Sequence, residues 1–466
     1  MRSLAYFIVF LLICITGCKD FLHEENLSYL DEIDFYKTSE DAENALNAIY
    51  NLLDDQGAYG ASYWRVKGLA SDEGLYEGNF SDIATLANAS YGPSNSEIKN
   101  VWSSFYAVAY ASNIVIEKVP SIEMDSARKV VVLAEAKFFR GLAYMELQRL
   151  FNEVPLMLDA PFSDSEKYLL PQSNKVSIQQ QVVTDLEHAV TSLPLSSAWG
   201  RPNSYAAAAL LSRMYFLNQD CAQAKKWAMV VINSTAYSLE SDVNSLFKNL
   251  NDVNNETIFA ITRSANNLGN INEDLLPPSL GGSGNYRVPS SFLTNFDSLD
   301  RRIEVFLTEE DDRYYVTKFW DEINESDGGT TSVDFPIIRF ADILLMYAEC
   351  ENEINNGPTA EAYSAVNLVR ARARQALVNE VLEVRDILPD LVGLDYDTFV
   401  EALHHERKIE FLWEGLRWAD LVKKEWLIDA VSKVKPTAVP SARNYYFPIP
   451  LFEMELHPDW SQNAGY

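Results

Sequence analysis

Apolar side chains recur at every third or fourth position through most of the chain beyond residue 38, which is the spacing of one face of an α-helix. The first such stretch follows Thr38-Ser39-Glu40-Asp41, a segment suited to an N-cap and an acidic first turn. The spacing predicts helices over 39–53, 102–116, 134–151, 177–193, 206–217, 221–232, 343–354 and 359–376. The chain is therefore predicted to be mostly α-helical.

Several of these predicted helices are joined by turns short enough to require an antiparallel hairpin. Asn218-Gln219-Asp220 is one such turn, and the helix before it reads Ala206-Ala207-x-x-Leu210-Leu211-x-Arg213-x-Tyr215. This alternation of small and large residues is typical of a tetratricopeptide unit, and such units need neighbours to cover their apolar faces. We predict a scaffold of stacked tetratricopeptide-like helix pairs. Ordinary helix packing with small residues at the crossings is the alternative interpretation.

Two regions interrupt the helical spacing. Residues 54–98 place several aromatic side chains among six glycines, and residues 250–335 hold possible strands at 256–262 and 313–320. A long aromatic-rich loop inside an ordered domain is more often functional than idle. We therefore expect irregular loops and a few short strands in these two regions, and we expect them to carry the function.

Composition and charge exclude one large class of function. The 466 residues are 47% hydrophobic and 12% aromatic, as in a packed globular protein. The 38 basic and 67 acidic side chains leave a formal net charge of −29, which repels polyanions. Nucleic acid is thus excluded as a partner, and an anionic membrane surface is disfavoured unless something stronger than electrostatics holds the chain there.

The N-terminus supplies such an anchor. Arg2 precedes an apolar run from Leu4 to Ile15, which is too short to cross a bilayer comfortably and is typical of a secretory signal. The run ends in Ile15-Thr16-Gly17-Cys18, which resembles a bacterial lipobox. Residues 1–17 are predicted to be removed as a lipoprotein signal peptide and Cys18 to be acylated. Acyl chains contribute about 0.8 kcal/mol per buried CH₂, so two or more give a stable anchor.

Signatures of metal binding and catalysis are weak. Cys221 and Cys350 form no CxxC and are interpreted as small buried residues, and His404-His405-Glu406 is not HExxH. Residues 281–284 lack a phosphate-binding signature, and the acidic loop 321–327 lacks the ligand spacing of an EF-hand. We predict no metal ligands, no cofactor and no catalytic residues; a solvated turn is the preferred interpretation of the acidic loop, and a structural calcium there is the alternative.

The densest charged segment, His404 to Asp420, predicts a single helix with Arg407, Glu410, Glu414 and Arg417 on one face. Two carboxyl groups at this spacing could suggest a glycosidase. Each acid, however, has an arginine within one turn, which lowers carboxyl pKa values and leaves no proton donor. Because the other faces are apolar, we interpret the segment as a buried helix whose charged face forms ion pairs that stabilise the fold.

Several motifs in a fixed order give the chain a resemblance to a known family. They include Gly17-Cys18-Lys19-Asp20-Phe21-Leu22, Ala134-Glu135-Ala136-Lys137-Phe138-Phe139-Arg140, Arg149-Leu150-Phe151-Asn152-Glu153-Val154-Pro155, Arg339-Phe340-Ala341-Asp342, Glu406-Arg407-x-x-Glu410-Phe411-x-x-Glu414-Gly415 and Pro448-Ile449-Pro450. Together they resemble the SusD/RagB family of lipid-anchored nutrient-binding proteins on the outer surface of Bacteroidota cells.

The resemblance implies an architecture, a location and partners. It implies one domain over 18–466, with an N-terminal part over 18–335 and a C-terminal family part over 336–466. The irregular segments then form a ligand face on the helical scaffold. It further implies a surface-exposed, lipid-anchored protein of the outer membrane that is not an enzyme. Its expected role is to bind an oligosaccharide and deliver it to a SusC-like TonB-dependent barrel.

Ligand contacts in this family lie in variable loops, so the candidates here come from physical chemistry. A sugar ring needs an exposed aromatic platform beside polar hydrogen-bonding groups. Such groups concentrate outside the predicted helices, and the expected ligand-binding residues are Trp64, Asp72, Tyr76, Tyr91, Tyr286, Arg287 and Trp320. A peptide or another nutrient as ligand, and a repeat scaffold that only assembles surface proteins, are the alternative functions.

Overall fold

The computed structural model describes residues 36–159, 170–247, 253–263, 271–297, 299–320, 331–378 and 381–466. Cys18, the predicted signal peptide and the acidic loop 321–327 lie outside these residues. The described chain is mostly helical with a few short strands, as predicted. None of its described helices has the length and apolar character needed to cross a membrane.

Helices account for most of the regular structure of the described chain. In order they are α1 (Ser39–Leu53), α2 (Ser62–Ala70), α3 (Ser81–Ala87), α4 (Ser96–Lys118), α5 (Ser126–Phe151), α6 (Lys175–Ser192), α7 (Ser204–Leu217), α8 (Cys221–Ile232), α9 (Ile271–Leu275), α10 (Arg301–Phe306), α11 (Phe340–Asn355), α12 (Ala360–Ala373), α13 (Tyr396–Glu410), α14 (Arg417–Lys423), α15 (Leu427–Val434) and α16 (Leu451–Leu456). Each helix predicted from the apolar spacing is present, although α12 ends at Ala373 because a strand follows.

The strands are short and pair only in twos. They are β1 (Leu75–Tyr76), β2 (Val154–Pro155), β3 (Gln172–Ser173), β4 (Thr257–Ile261), β5 (Tyr286–Arg287), β6 (Leu307–Glu310), β7 (Arg313–Val316), β8 (Phe335–Arg339), β9 (Gln375–Val378) and β10 (Val381–Val384). The antiparallel pairs are β1 with β5, β2 with β3, β4 with β8, β6 with β7 and β9 with β10. The strands predicted at 256–262 and 313–320 correspond to β4 and β7, and β7 stops at Val316.

The long helices stack in sequence order. Helix α4 packs on α5, α5 on α6, α6 on α7 and α7 on α8, and α8 then packs on α11. Small side chains make the crossings close: Ala206 to Ala209 of α7 are fully buried, and Gly141 of α5 faces Leu186 of α6. A Cβ atom at Gly141 would lie 3.1 Å from Leu186 Cγ. The helix pairs thus form a continuous scaffold, as the small and large alternation predicts.

Residues 54–98 are not the open loop that the glycine content suggested. They contain α2 and α3, and most of the glycines there allow close packing. A Cβ atom at Gly68 or Gly74 would lie 2.9 Å or 2.7 Å from the Trp413 ring, so both positions exclude a side chain. The aromatic residues of α2 are consequently drawn into the core, which corrects the expectation that this region exposes them.

The charged segment 404–420 is also broken where a single helix was expected. Helix α13 ends at Glu410, and α14 begins at Arg417. Between them Trp413 and Gly415 adopt positive φ angles of 58° and 72°, which a continuous helix does not allow. The interruption turns the Trp413 ring into the core against α2.

The carboxylates of this segment are paired from other elements, not from their own helix. The Glu410 carboxylate accepts hydrogen bonds from Arg302 at 3.2 Å, Arg339 at 3.0 Å and Arg372 at 2.5 Å. Glu414 pairs with Lys318 and with Arg339. These ion pairs therefore stabilise the fold, as predicted. The prediction that each acid pairs with an arginine of its own helix is wrong.

This buried ionic cluster ties α10, β8, α12 and α13 to one another. Glu410 is fully buried, and the neighbouring Arg372 and Arg339 outweigh desolvation and hold the pKa of its carboxyl well below the usual range. Removing one charged member of such a cluster leaves an uncompensated buried charge. This lowers the stability of the fold more than replacing the whole ion pair by apolar residues would. The cluster consequently fixes the relative positions of these elements.

Replacing Glu410 with Gln should lower the free energy of unfolding by about 3–5 kcal/mol at neutral pH, because three guanidinium groups lose their buried counter-charge. Since the folded-state pKa is depressed, this contribution is present above the unfolded pKa and is lost as pH falls below about 4. Denaturant titrations of Glu410→Gln and wild type at several pH values measure it.

The matched control is Glu401→Gln, which alters an exposed carboxylate on the same helix. A surface change of this kind stays within about 0.5 kcal/mol. Equal losses for the two variants, or a loss for Glu410→Gln that does not shrink in acid, would contradict the structural role of the cluster.

Candidate ligand-binding site

Strands β1 and β5 join the two irregular regions that the sequence marks as candidates for function. Leu75 pairs with Arg287 and Tyr76 with Tyr286 in antiparallel register. Beside this pair lies a cavity of about 430 Å³, which we call the β1–β5 cavity. Its volume falls within the range of small-ligand sites, about 300–1,000 Å³. Residues more than 200 positions apart in the chain thereby share one concave surface.

Six elements line the β1–β5 cavity. Helix α2 contributes Arg65, β1 contributes Tyr76, and the N-terminal ends of α3 and α4 contribute Asp82 and Glu97. On the opposite side, α9 and the segment leading into β5 complete the wall. The other lining residues are Phe80, Ser81, Ile83, Ser96, Glu273, Asp274, Ser283, Asn285 and Tyr286.

Phe80 and Tyr76 provide aromatic surface at the cavity. The Phe80 side chain is 71% exposed, an unusual fraction for a large apolar ring. The Tyr76 hydroxyl accepts a hydrogen bond from the Phe80 backbone N–H at 3.2 Å, and its ring stands edge-to-face on Tyr286 at 5.0 Å. Gly78 lies directly against the Tyr76 ring, where a Cβ atom would overlap the hydroxyl end. Tyr76 is thus held in place while Phe80 remains open to a ligand.

An ion pair crosses the cavity floor. Arg65 donates to Asp274 Oδ2 at 2.6 Å from Nε, and its Nη1 lies 3.6 Å from Glu97 Oε1. Burial raises the pKa of Asp274 to about 6, although Arg65 opposes the shift. At the α3 and α4 ends, Asp82 Oδ2 accepts hydrogen bonds from the Ser96 N–H at 2.9 Å and from its hydroxyl at 2.5 Å. These contacts keep the charged groups of the wall in fixed orientations.

Free hydrogen-bonding capacity remains at the rim. Among the described residues the Asn285 carboxamide has no partner, and Asp274 uses only Oδ2 in its pair with Arg65. An amide offers both donors and an acceptor, and the second carboxylate oxygen accepts. The cavity can therefore place an apolar ring face against Phe80 while it hydrogen-bonds the polar edge of the same ligand.

Three of the predicted aromatic platforms are buried. Trp64 is 0% exposed and packs edge-to-face against Tyr286 and Trp413 at 6.2 Å and 5.9 Å. Tyr91 lies under the C-terminus, 5.2 Å from Phe447. Tyr286 lines the cavity only as the support beneath Tyr76. The expectation that these rings are exposed is wrong. Trp64 and Tyr286 pack against Trp413, which fits closely against Gly68 and Gly74, and Tyr91 packs against Phe447.

The other predicted residues have different surroundings. Asp72 is buried and makes a bidentate ion pair with Arg417, at 2.8 Å for each contact. Arg287 pairs with Glu77 and does not line the cavity. Trp320 is partly exposed beyond β7 and also lies outside the cavity wall. Of the seven candidates, the structure brings Tyr76 and Tyr286 together at this cavity.

Sequence reasoning did not select Phe80, Arg65, Asp274 or Asn285. A signal for Phe80 was present, since it stands alone among polar and small residues in the run Gly78-Asn79-Phe80-Ser81-Asp82. Trp64, in contrast, follows Tyr63 and precedes Val66, as a core residue would. Arg65 and Asp274 are 209 positions apart, and only the β1–β5 pairing makes them neighbours.

Comparison with known proteins agrees with this architecture. One protein-family model, described as "SusD family", matches residues 302–466. A second, described as "Starch-binding associating with outer membrane", matches residues 20–216. SusD-like protein P25 of Formosa agariphila is 27% identical, and the alignment covers 97% of this chain and 96% of the relative.

Solved structures show the same fold. A SusD superfamily protein from Bacteroides vulgatus superposes with a TM-score of 0.82 at 23% identity, over 93% of this chain and all of the other. A laminarin binding SusD-like protein superposes with a TM-score of 0.74 at 21% identity, over 92% of this chain and all of the other.

The stacked helix pairs form a tetratricopeptide-like scaffold, and the β1–β5 cavity lies where helices α2, α3, α4 and α9 meet strands β1 and β5. The chain belongs to the SusD/RagB family.

The contrast between Phe80 and Trp64 is testable through stability. Trp64→Ala should lower the free energy of unfolding by about 3–5 kcal/mol, because it empties a fully packed site. Phe80→Ala should change it by less than about 0.5 kcal/mol, because the ring contributes little to the core. Denaturant unfolding of the two variants measures both values, and similar losses would contradict the assigned positions.

Proposed function

We propose that this protein binds an oligosaccharide in the β1–β5 cavity, without altering it chemically, and delivers it to a TonB-dependent outer-membrane transporter. The observation that carries the proposal is that the exposed Phe80 ring lines the same cavity as the Asn285 carboxamide and Asp274 Oδ1, which have no partner among the described residues. Sugars present apolar ring faces and hydroxyl-rich edges, so this pairing of surfaces matches them.

The energetics favour weak, reversible binding. Stacking one sugar ring on an aromatic face removes on the order of 100 Å² of apolar surface from water, which is worth about 2.5 kcal/mol. Phe80 and Tyr76 together give about 5 kcal/mol before the cost of association, so dissociation constants from millimolar to tens of micromolar are expected. Such affinities suit a protein that must release its ligand to a transporter.

The functions named for similar proteins support a binding role over hydrolysis. Glycoside hydrolysis needs one carboxyl group as proton donor and a second as base or nucleophile. At this cavity Arg65 holds Asp274 and Ser96 holds Asp82, but burial raises the pKa of Asp274 to about 6 and Glu273 lines the same wall. Incubation of the pure protein with a bound glycan therefore tests hydrolysis directly. The laminarin binding SusD-like protein and the surface glycan-binding protein A of Bacteroides uniformis, which share the fold, are likewise named as binding proteins.

Location and partner follow from the same reasoning. The predicted lipid on Cys18 would hold the protein at the outer membrane, and one matching family model is described as associating with that membrane. Lys19-Asp20 resembles the charged export signal that follows the lipidated cysteine in surface lipoproteins. A surface protein that binds glycans needs a transporter for its cargo, and a SusC-like barrel is the partner that we propose.

Single substitutions at the cavity should show which aromatic side chains contact the ligand. Phe80→Ala and Tyr76→Ala should each weaken binding of an oligosaccharide held by wild type by about tenfold or more, since each removes one stacking surface. Isothermal titration calorimetry against a glycan panel, which includes β-glucans and starch fragments, measures the change.

Tyr110→Ala is the matched control, because Tyr110 is an exposed aromatic residue on α4 outside the cavity. Its affinity should equal that of wild type. Unchanged binding in both cavity variants would place the site elsewhere, and cleavage of a bound glycan by the pure protein would contradict the non-catalytic role.

The anchor is tested by Cys18→Ala in cells. The variant should leave the outer-membrane fraction and lose protease accessibility on intact cells, because no acyl chain remains to hold it. Wild type carried through the same fractionation is the reference, and mild detergent extraction of wild type should recover a much larger barrel. A variant that still fractionates with the outer membrane would contradict the assignment of Cys18.

A further inference from the structure

A second cavity, of about 460 Å³, lies among the scaffold helices. It is bounded by α5, the N-terminal end of α6, the turn after α7, and α14, and we call it the scaffold cavity. Among the described residues it shares no lining residue with the β1–β5 cavity. Its walls belong to the helix pairs, where a repeat scaffold needs no internal space.

Gln148 on α5 is an uncommon residue for such a wall. It is only 7% exposed, yet within the described chain its carboxamide has no hydrogen-bond partner. A buried amide without a partner costs free energy, so such groups are normally paired with protein, water or ligand. The cavity is the open space that Gln148 adjoins, and a ligand there would satisfy it.

Lys175, the first residue of α6, brings a positive charge to the same cavity. It is half-buried, and among the residues that the structure describes its ammonium has no carboxylate partner. Burial lowers its pKa from the ordinary value of a lysine, and no acid compensates. The positive end of the 18-residue helix α6 adds to the field at this point. An unpaired cation is notable in a chain with a net charge of −29.

Other donors on the wall also have no partner. Arg149 uses Nη2 in its contacts with Glu146 and Tyr63, and its Nε and Nη1 hydrogen-bond nothing in the described structure. The indole Nε1 of Trp418, a fully buried ring, is likewise without a partner. These three atoms are all donors, and they place positive partial charge behind the cavity wall, although they are buried too deeply to contact a bound group themselves.

The remaining surface is mixed. Asn218, Gln219, Lys423 and the Glu425 carboxylate also line the cavity, and Lys423 is paired with Glu349. Another part of the wall is apolar. Met145 and Met214 line the cavity together with Trp418, and methionine side chains adapt readily to the shape of a bound group. A matching ligand has an anionic end and a compact, partly apolar body. The anionic end would meet the hydrogen-bond donors of the wall, and the body would meet the apolar side chains.

We propose that the scaffold cavity is a second binding site, separate from the glycan face, for a small carboxylate-bearing molecule. Lys175 and Gln148 would bind the carboxylate, and Met145, Met214 and Trp418 would pack on the body. The same chemistry occurs in an acidic sugar and in an N-acylated amino acid, and the proposal does not depend on the function of the β1–β5 cavity.

The test is calorimetry or ligand-observed NMR on the intact mature protein with two probes, D-glucuronate and N-acetyl-L-phenylalanine. Their uncharged counterparts are D-glucose and N-acetyl-L-phenylalaninamide. At least one acid should bind about tenfold or more tightly than its neutral counterpart, and more weakly as salt is added. The acid that binds identifies the source of the ligand as saccharide or amino acid.

Lys175→Met and Gln148→Leu should each weaken binding of that acid by about tenfold. Lys226→Met, an exposed lysine on α8, and Phe80→Ala, at the other cavity, should leave it unchanged. Circular dichroism of every variant confirms folding. Failure of both acids to bind better than their neutral counterparts, or unchanged binding in both Lys175→Met and Gln148→Leu, would overturn the proposal.

Discussion

The buried pairing of Glu410 with Arg302, Arg339 and Arg372 is the interaction on which the other parts of the structure depend. Each arginine comes from a different element, so one carboxylate on α13 holds α10, β8 and α12 at fixed distances. A hydrophobic contact could slide by a fraction of an ångström, whereas charge-assisted hydrogen bonds between buried groups tolerate little displacement. The cluster thus specifies the arrangement of elements more than it adds to stability.

The ionic cluster also helps to position the proposed glycan site, through the turn formed by residues 411–416. Glu410 and Glu414 are fixed at the start and middle of this turn, and the turn directs Trp413 into the core against Gly68 and Gly74. The Trp413 backbone N–H donates to Glu73 Oε2 at 3.2 Å. Trp413 in turn supports Trp64 and Tyr286, and Tyr286 supports Tyr76 at the cavity. A rigid aromatic stack therefore connects the ionic cluster to the ligand-facing ring.

The local spacing of apolar residues was sufficient to predict the helical scaffold. It was not sufficient to predict the candidate site. Helices such as α1 and α5 follow from apolar periodicity, and the motif order indicated the family. The partners of Glu410 could not be predicted, because Arg302, Arg339 and Arg372 are 108, 71 and 38 positions away. Trp64 was misplaced for a related reason: glycine next to aromatic residues predicts both flexible loops and close packing, and only the position of Trp413 decides between them.

The most direct measurement of the central claim is a crystal structure of the protein with an oligosaccharide that it binds in solution. The account predicts a sugar ring stacked on Phe80, with its hydroxyl groups hydrogen-bonded to Asn285 and Asp274 and no displacement of Trp64. An oligosaccharide bound on another surface, with the β1–β5 cavity empty, would contradict it.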